Sequence, residues 1–197
     1  MIQALGFELQ GEQFVPGREG FRLRGPIQSN LHLYESGHPE VDVMLHFRDL
    51  LRRDPAARTR YENAKKEILS QQTEFERRNP WFSEYTVKKA AEVKRLLKES
   101  GFQRLRILRP VCDAELALVE TFLDLPQTCL RKSSGGHKGL QANYLLLLRG
   151  VDPVGAAMIV EDGKNKPRIA IQSSGSDEKE LLEQFSFLIQ RWVKRLQ

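Results

Sequence analysis

Apolar and polar residues alternate through FRLR (21–24) and NLHLY (30–34), the period-two pattern of half-buried strands. The Gly25-Pro26 turn between them predicts two joined strands. Upstream, Ile2 to Leu9 is a short mixed segment, followed by the turn chemistry of Val15-Pro16-Gly17. From Pro39 the period changes. Val43, Phe47, Leu50 and Leu51 recur at helical spacing, with Pro39 early in the helix and Glu40 and Asp42 at the positive end of its dipole. A second helix is expected from Pro55, capped by Asp54, with Tyr61, Ala64, Ile68, Gln72 and Phe75 on one face and the sequence NPW (79–81) ending it. A third runs from Ser83 to Ser100 and closes at Gly101.

Beyond Gly101 strands dominate. LRILRP (105–110) reads as a strand, Asp113 to Leu123 as a helix, and RKSSGGHKG (131–139) as a flexible loop. Two apolar strands then flank a turn at Gly150–Pro153, KPRIAIQSS (166–174) adds another strand, and Asp177 to Leu196 forms a last helix. Leu181, Phe185, Leu188 and Trp192 share one face of it. The pattern predicts an α/β (α+β) chain of two pieces, 1–102 and 103–197.

Composition narrows the function classes. With 40% hydrophobic and 29% charged residues, the 197-residue chain has the makeup of a soluble globular protein with a real core. No apolar run approaches the roughly 18 residues needed to cross a bilayer, and MIQALGFELQGEQF lacks the pattern of a signal peptide, so a cytoplasmic location is expected. The net charge of +5 invites a nucleic-acid reading. The excess is spread over both halves, with no basic tail and no aromatic–basic interleaving, so no specific nucleic-acid partner is expected. Cys112 and Cys129 make neither a disulfide framework nor a metal-ligand spacing, and both read as reduced thiols, with no metal site.

Asn30, His32, Gly37, Pro39, Glu40, Phe47, Arg48, Asp49, Leu51, Arg52, Pro55, Tyr61 and Lys65 form one ordered motif within residues 6–69. In order and spacing that motif resembles the second half of the GrpB family, bacterial proteins with a nucleotidyltransferase-like fold. The resemblance implies a ligand pocket built from Asn30, His32, Arg48, Tyr61 and Lys65. Nucleotidyl transfer also needs paired carboxylates to hold Mg²⁺ against a triphosphate. The acids nearest the NLHLY strand are Glu35, Glu40 and Asp42, and the last two do not face one point on a helix. No catalytic residue is therefore assigned, and transfer by this chain alone is not expected.

Residues 103–197 look like the first part of a GNAT-type acetyltransferase, through the LRILRP opening and a strand followed by a helix ending FLIQRWVKRL. Such enzymes hold the CoA pyrophosphate on a glycine-rich turn before that helix. The equivalent stretch contains Ser173, Ser174, Gly175 and Ser176, which makes acetyl-CoA the cofactor the resemblance implies. Asp177, Glu178 and Glu180 follow at once. They would repel a pyrophosphate, and Asp177 with Glu180 has capping-box spacing.

Single residues leave alternatives open. His32 faces away from Leu31 and Leu33 and suits either a ligand pocket or a hydrogen-bonded surface. Arg48 beside Asp49 suits either a phosphate or a structural ion pair. Tyr61 and Lys65 could line a pocket or merely touch along a helix. His38 and His46 read as surface residues. The expectation is a protein that binds an anionic nucleotide or CoA-type ligand, or a protein partner, without turnover. The rivals are an active N-acetyltransferase and a subunit completed by another chain, or by a second copy, at an open edge of the PRIAIQ strand.

Overall fold

The computed structural model describes residues 2–71, 84–125, 141–161, 168–173 and 178–196. It is a mixed α/β arrangement with two antiparallel sheets and, among the described residues, five α-helices. By contact the chain divides into two units, one of residues 1–38 with 105–197, the other of residues 39–104. That division differs from the sequential one near residue 102. The first 38 residues pack with the C-terminal region, because Glu12, Phe14, Glu35 and Ser36 bond to Arg109, Arg191 and Trp192.

In the first unit, β1 (Glu8–Gly11), β2 (Glu19–Leu23) and β3 (Ser29–Leu33) form a sheet in that order. The alternation around FRLR and NLHLY gives β2 and β3. The alternation does not mark β1; pairing with β2 organises it, with an irregularity between Leu9 and Gly11. The second sheet runs β4 (Leu105–Leu108), β5 (Gln141–Arg149), β6 (Asp152–Glu161) and β7 (Arg168–Ser173), each strand antiparallel to its neighbour. Helix α4 (Asp113–Phe122) covers one face and α5 (Glu178–Leu196) the other.

This double cover explains the unbroken run Leu145–Leu148, since a strand buried on both faces has no polar side to show. Leu145 and Leu147 join Ile107, Ala157 and Ile159 beneath Leu181, Phe185, Ile189 and Trp192. Leu146 and Ala156 meet Val119 on the opposite face. The register sets Leu145, Leu146 and Leu147 against Ala157, Ala156 and Gly155, so each large side chain has a small partner across the ladder.

The second unit contains α1 (Pro39–Arg53), α2 (Pro55–Gln71) and α3 (Glu84–Glu99). Asp54 caps α2 as expected, its Oδ1 accepting from the N–H groups of Ala56 at 2.9 Å and Ala57 at 3.0 Å. At the end of α3, Gly101 takes a φ of +73°, the N–H of Phe102 reaches the carbonyl of Leu97 at 3.1 Å, and that of Gly101 reaches Lys98 at 3.0 Å. Those two bonds satisfy the last carbonyls in a Schellman closure. Leu50, Ala57 and Leu96 form the core, joined by Phe47, Leu51 and Tyr61. The expected positions Gln72 and Phe75, the NPW stop, the 131–139 loop and Cys129 lie outside the described residues. Cys112 is a free thiol.

Candidate functional site

The five candidates fall in two units, Asn30 and His32 in one, Arg48, Tyr61 and Lys65 in the other. On the first sheet the register places Gly20 opposite His32 and Arg22 opposite Asn30. Residues two apart on a strand share a face, so Asn30, His32, Gly20 and Arg22 stand on one side, while Phe21 and Leu31 point to the other. Glu8 pairs with Arg22 and Gly11 with Gly20, which completes two rows across the sheet, Glu8–Arg22–Asn30 and Gly11–Gly20–His32.

Partial burial of the imidazole, and next the charge of Arg18, hold the pKa of His32 below its ordinary 6.5. The neutral ring is thus the form the fold prefers. Its contribution to stability is fully present above about pH 6.5 and is lost as the pH falls below that, where the unfolded chain takes up a proton more readily. Melting temperatures between about pH 7.5 and 5 should therefore fall more steeply for the native chain than for His32→Gln. Parallel curves for the two proteins would contradict that account.

In the helical unit Arg48 donates to Asp49 through both Nε at 2.8 Å and Nη2 at 3.0 Å. The guanidinium is engaged by its neighbour on an exposed surface, an ion pair of small energetic weight. Lys65 Nζ stands 4.7 Å from the centre of the Tyr61 ring, and Tyr61 meets Phe47 edge-on at 5.1 Å. The pair is in contact, and Tyr61 belongs to the packing of α1 on α2. Lys89 lies half-buried nearby, its pKa lowered by burial and then by the charge of Lys65.

The sequence pattern marks His46 as a surface residue. Its Nε2 lies 2.8 Å from Ser100 Oγ, and its ring packs on Phe102 at 5.1 Å. Ser100 spends its own proton on the carbonyl of Leu97 at 2.8 Å. The imidazole is therefore the donor, and the couple lacks the arrangement of a base activating a hydroxyl nucleophile. His38, also read as a surface residue, bonds through Nε2 to the carbonyl of Pro16 at 2.8 Å and packs on Tyr34.

Sequence reasoning missed the residues that tie the first unit together. Glu12 Oε1 accepts from the N–H of Gly17 at 2.7 Å and from Trp192 Nε1 at 2.9 Å, while Oε2 takes Arg109 Nη2 at 2.9 Å. Arg109 in turn lies over the Trp192 ring at 5.3 Å. Partners up to 180 positions apart leave no local signal. Arg18 and Arg22 do have one, their two-residue offsets from Gly20, but the alternation begins at Phe21 whereas the strand begins at Glu19. Of the weaker set, Ser173 ends β7, and Ser174, Gly175 and Ser176 lie outside the described residues, as does Asp177 of the expected capping box. Among the described residues no group of three His, Cys, Asp or Glu is placed to hold a metal ion. No helix among them is long and apolar enough to cross a membrane.

The family model described as "GrpB protein" matches residues 1–99, half of the chain. The chain belongs to the GrpB family. It is 34% identical over 71 residues to the UPF0157 protein YqkA of Bacillus subtilis (strain 168), a match covering 36% of this chain and 21% of that protein. The chain thus spans about a fifth of the curated relative it matches. No solved structure matches it. The GrpB match takes in all five pocket candidates, β1 to β3 and the three helices of the second unit.

Proposed function

We propose that this GrpB-family chain binds an anionic ligand of nucleotide or CoA type, and that Asn30 and His32 carry the recognition. The observation behind this reading is the polar face of the first sheet, where both stand in register with a row of glycines and an arginine. A neutral imidazole and a carboxamide offer directed hydrogen bonds without a charge of their own. Binding rather than turnover is favoured because the acid that follows β3 in the same unit is engaged: Glu35 pairs with Arg191 at 2.9 Å.

Melting the full chain with ATP, GTP, CoA and acetyl-CoA, with and without Mg²⁺, tests the reading. A ligand at a hundred times its dissociation constant should add about 2.7 kcal/mol. The expected result is a shift with nucleotides or CoA that Asn30→Ala and His32→Gln diminish. No shift with any of the four overturns it.

A second reading, an N-acetyltransferase using acetyl-CoA, rests on the sequence resemblance of residues 103–197 alone. Against it, Glu180 and Glu183 lie exposed in the first turns of α5, where they repel an anion. A shift with acetyl-CoA alone, untouched by His32→Gln, would favour this second reading. Partnership with another chain has less support, resting on β7 forming one edge of its sheet.

A further inference from the structure

Two arginines outside the matched motif share the face of Asn30 and His32. Arg22 sits between Glu8 and Asn30 in one row. Arg18 precedes β2, and its side chain folds back over the neighbouring row. A β-carbon placed on Gly20 would stand 3.7 Å from Arg18 Nε and 3.1 Å from the Gly11 carbonyl oxygen. The glycine row therefore makes the floor on which this guanidinium lies, on the side that carries His32. Gln13 Oε1 fixes one edge of it, accepting from Nη2 at 2.6 Å. Arg18 Nε is buried with no acceptor among the described residues.

We propose that Arg18 and Arg22 grip the diphosphate group of the ligand, one phosphoryl each, with Gly20 keeping the space between them clear and Asn30 and His32 contacting the adjoining part of the ligand. The inference rests on the anion-binding reading above and names its substrate class: nucleoside diphosphates or triphosphates and CoA, rather than monophosphates. The backbone positions of Arg18 and Arg22 are about 13 Å apart if the strand is extended. Side chains leaning inward from both ends span two linked phosphoryl groups better than one. Planar guanidinium forks suit phosphate oxygens, and the buried Nε is desolvated in advance. The face holds two guanidiniums against one carboxylate, Glu8, so the balance favours an anion.

Calorimetric titration of the full chain with inorganic pyrophosphate, ADP, AMP and CoA tests the grip, using the native protein, Arg18→Gln, Arg22→Gln and Arg18→Lys. Pyrophosphate, ADP and CoA are expected to bind, with AMP weaker by about tenfold or more. Each glutamine variant should weaken ADP by a similar factor. If a glutamine variant melts early without ligand, Arg18→Lys carries the test, since it keeps the charge and stem but loses the fork; undiminished ADP affinity there overturns the grip. Equal affinity for AMP and ADP overturns it too. So does ADP affinity unchanged in both glutamine variants but lowered by His32→Gln, which leaves the anion-binding reading standing. No binding of any of these probes by the native chain sinks both.

Discussion

Gly155→Ala is expected to lower the stability of the first unit by about 3 kcal/mol. Gly155 lies inside β6, opposite Leu147 on one side and Ser173 on the other. A β-carbon there would fall 2.3 Å from the carbonyl oxygen of Gln172 and 2.9 Å from Ser173 Cα. Both are backbone atoms of β7, so no rotamer change relieves the overlap. The strand itself must move, which pulls Ile169 and Ile171 from the core beneath α5 and strains the ladder. Ala156→Gly, one residue along, introduces no clash and should cost only about 1 kcal/mol. Chemical denaturation of the two variants side by side checks the contrast. A loss below about 1 kcal/mol for Gly155→Ala would mean that the β6–β7 spacing absorbs a methyl group.

Glu12→Ala should be nearly as damaging, by about 2–4 kcal/mol. The carboxylate is only 26% exposed and serves three donors: the Gly17 N–H, Trp192 Nε1 and Arg109 Nη2. Removing it leaves the indole N–H of a tryptophan that is 3% exposed without its acceptor, and a guanidinium without its counter-charge. It also frees the loop between β1 and β2, whose remaining ties include the Phe14 carbonyl accepting from the Arg109 N–H at 2.9 Å. Glu12→Gln keeps an acceptor for Gly17 and Trp192 but turns its amide donors toward Arg109, so about half the loss is expected. Denaturant midpoints measure both variants. A Glu12→Ala protein as stable as the native one would show that water replaces the carboxylate at no cost. Because the same loop carries Gln13 and Arg18, Glu12→Ala is also expected to disturb the face proposed to bind an anion.

The local elements were legible because local rules govern them. Alternation gave β2 and β3, helical spacing gave α1, and Asp54-Pro55 and Gly101 marked ends that hydrogen bonds within a few residues enforce. The GrpB motif was equally legible, since it is a matter of order and spacing along 64 positions (6–69). Even the double burial of Leu145–Leu148 could be anticipated from a run without polar breaks.

What the tertiary structure decided is which distant residues meet. Glu12 became a hub by reaching Trp192, and β1 became a strand because β2 supplied its partners. His46 went from an apparent surface position to a donor for Ser100, 54 residues away. Arg18 entered the candidate site because Gly20 has no side chain to keep it off the sheet. A capping residue or an apolar stripe is read from neighbours within one or two turns of chain. A cross-strand row, a buried carboxylate with three donors or a glycine floor depends on register and packing between segments far apart in sequence, and no local period encodes that.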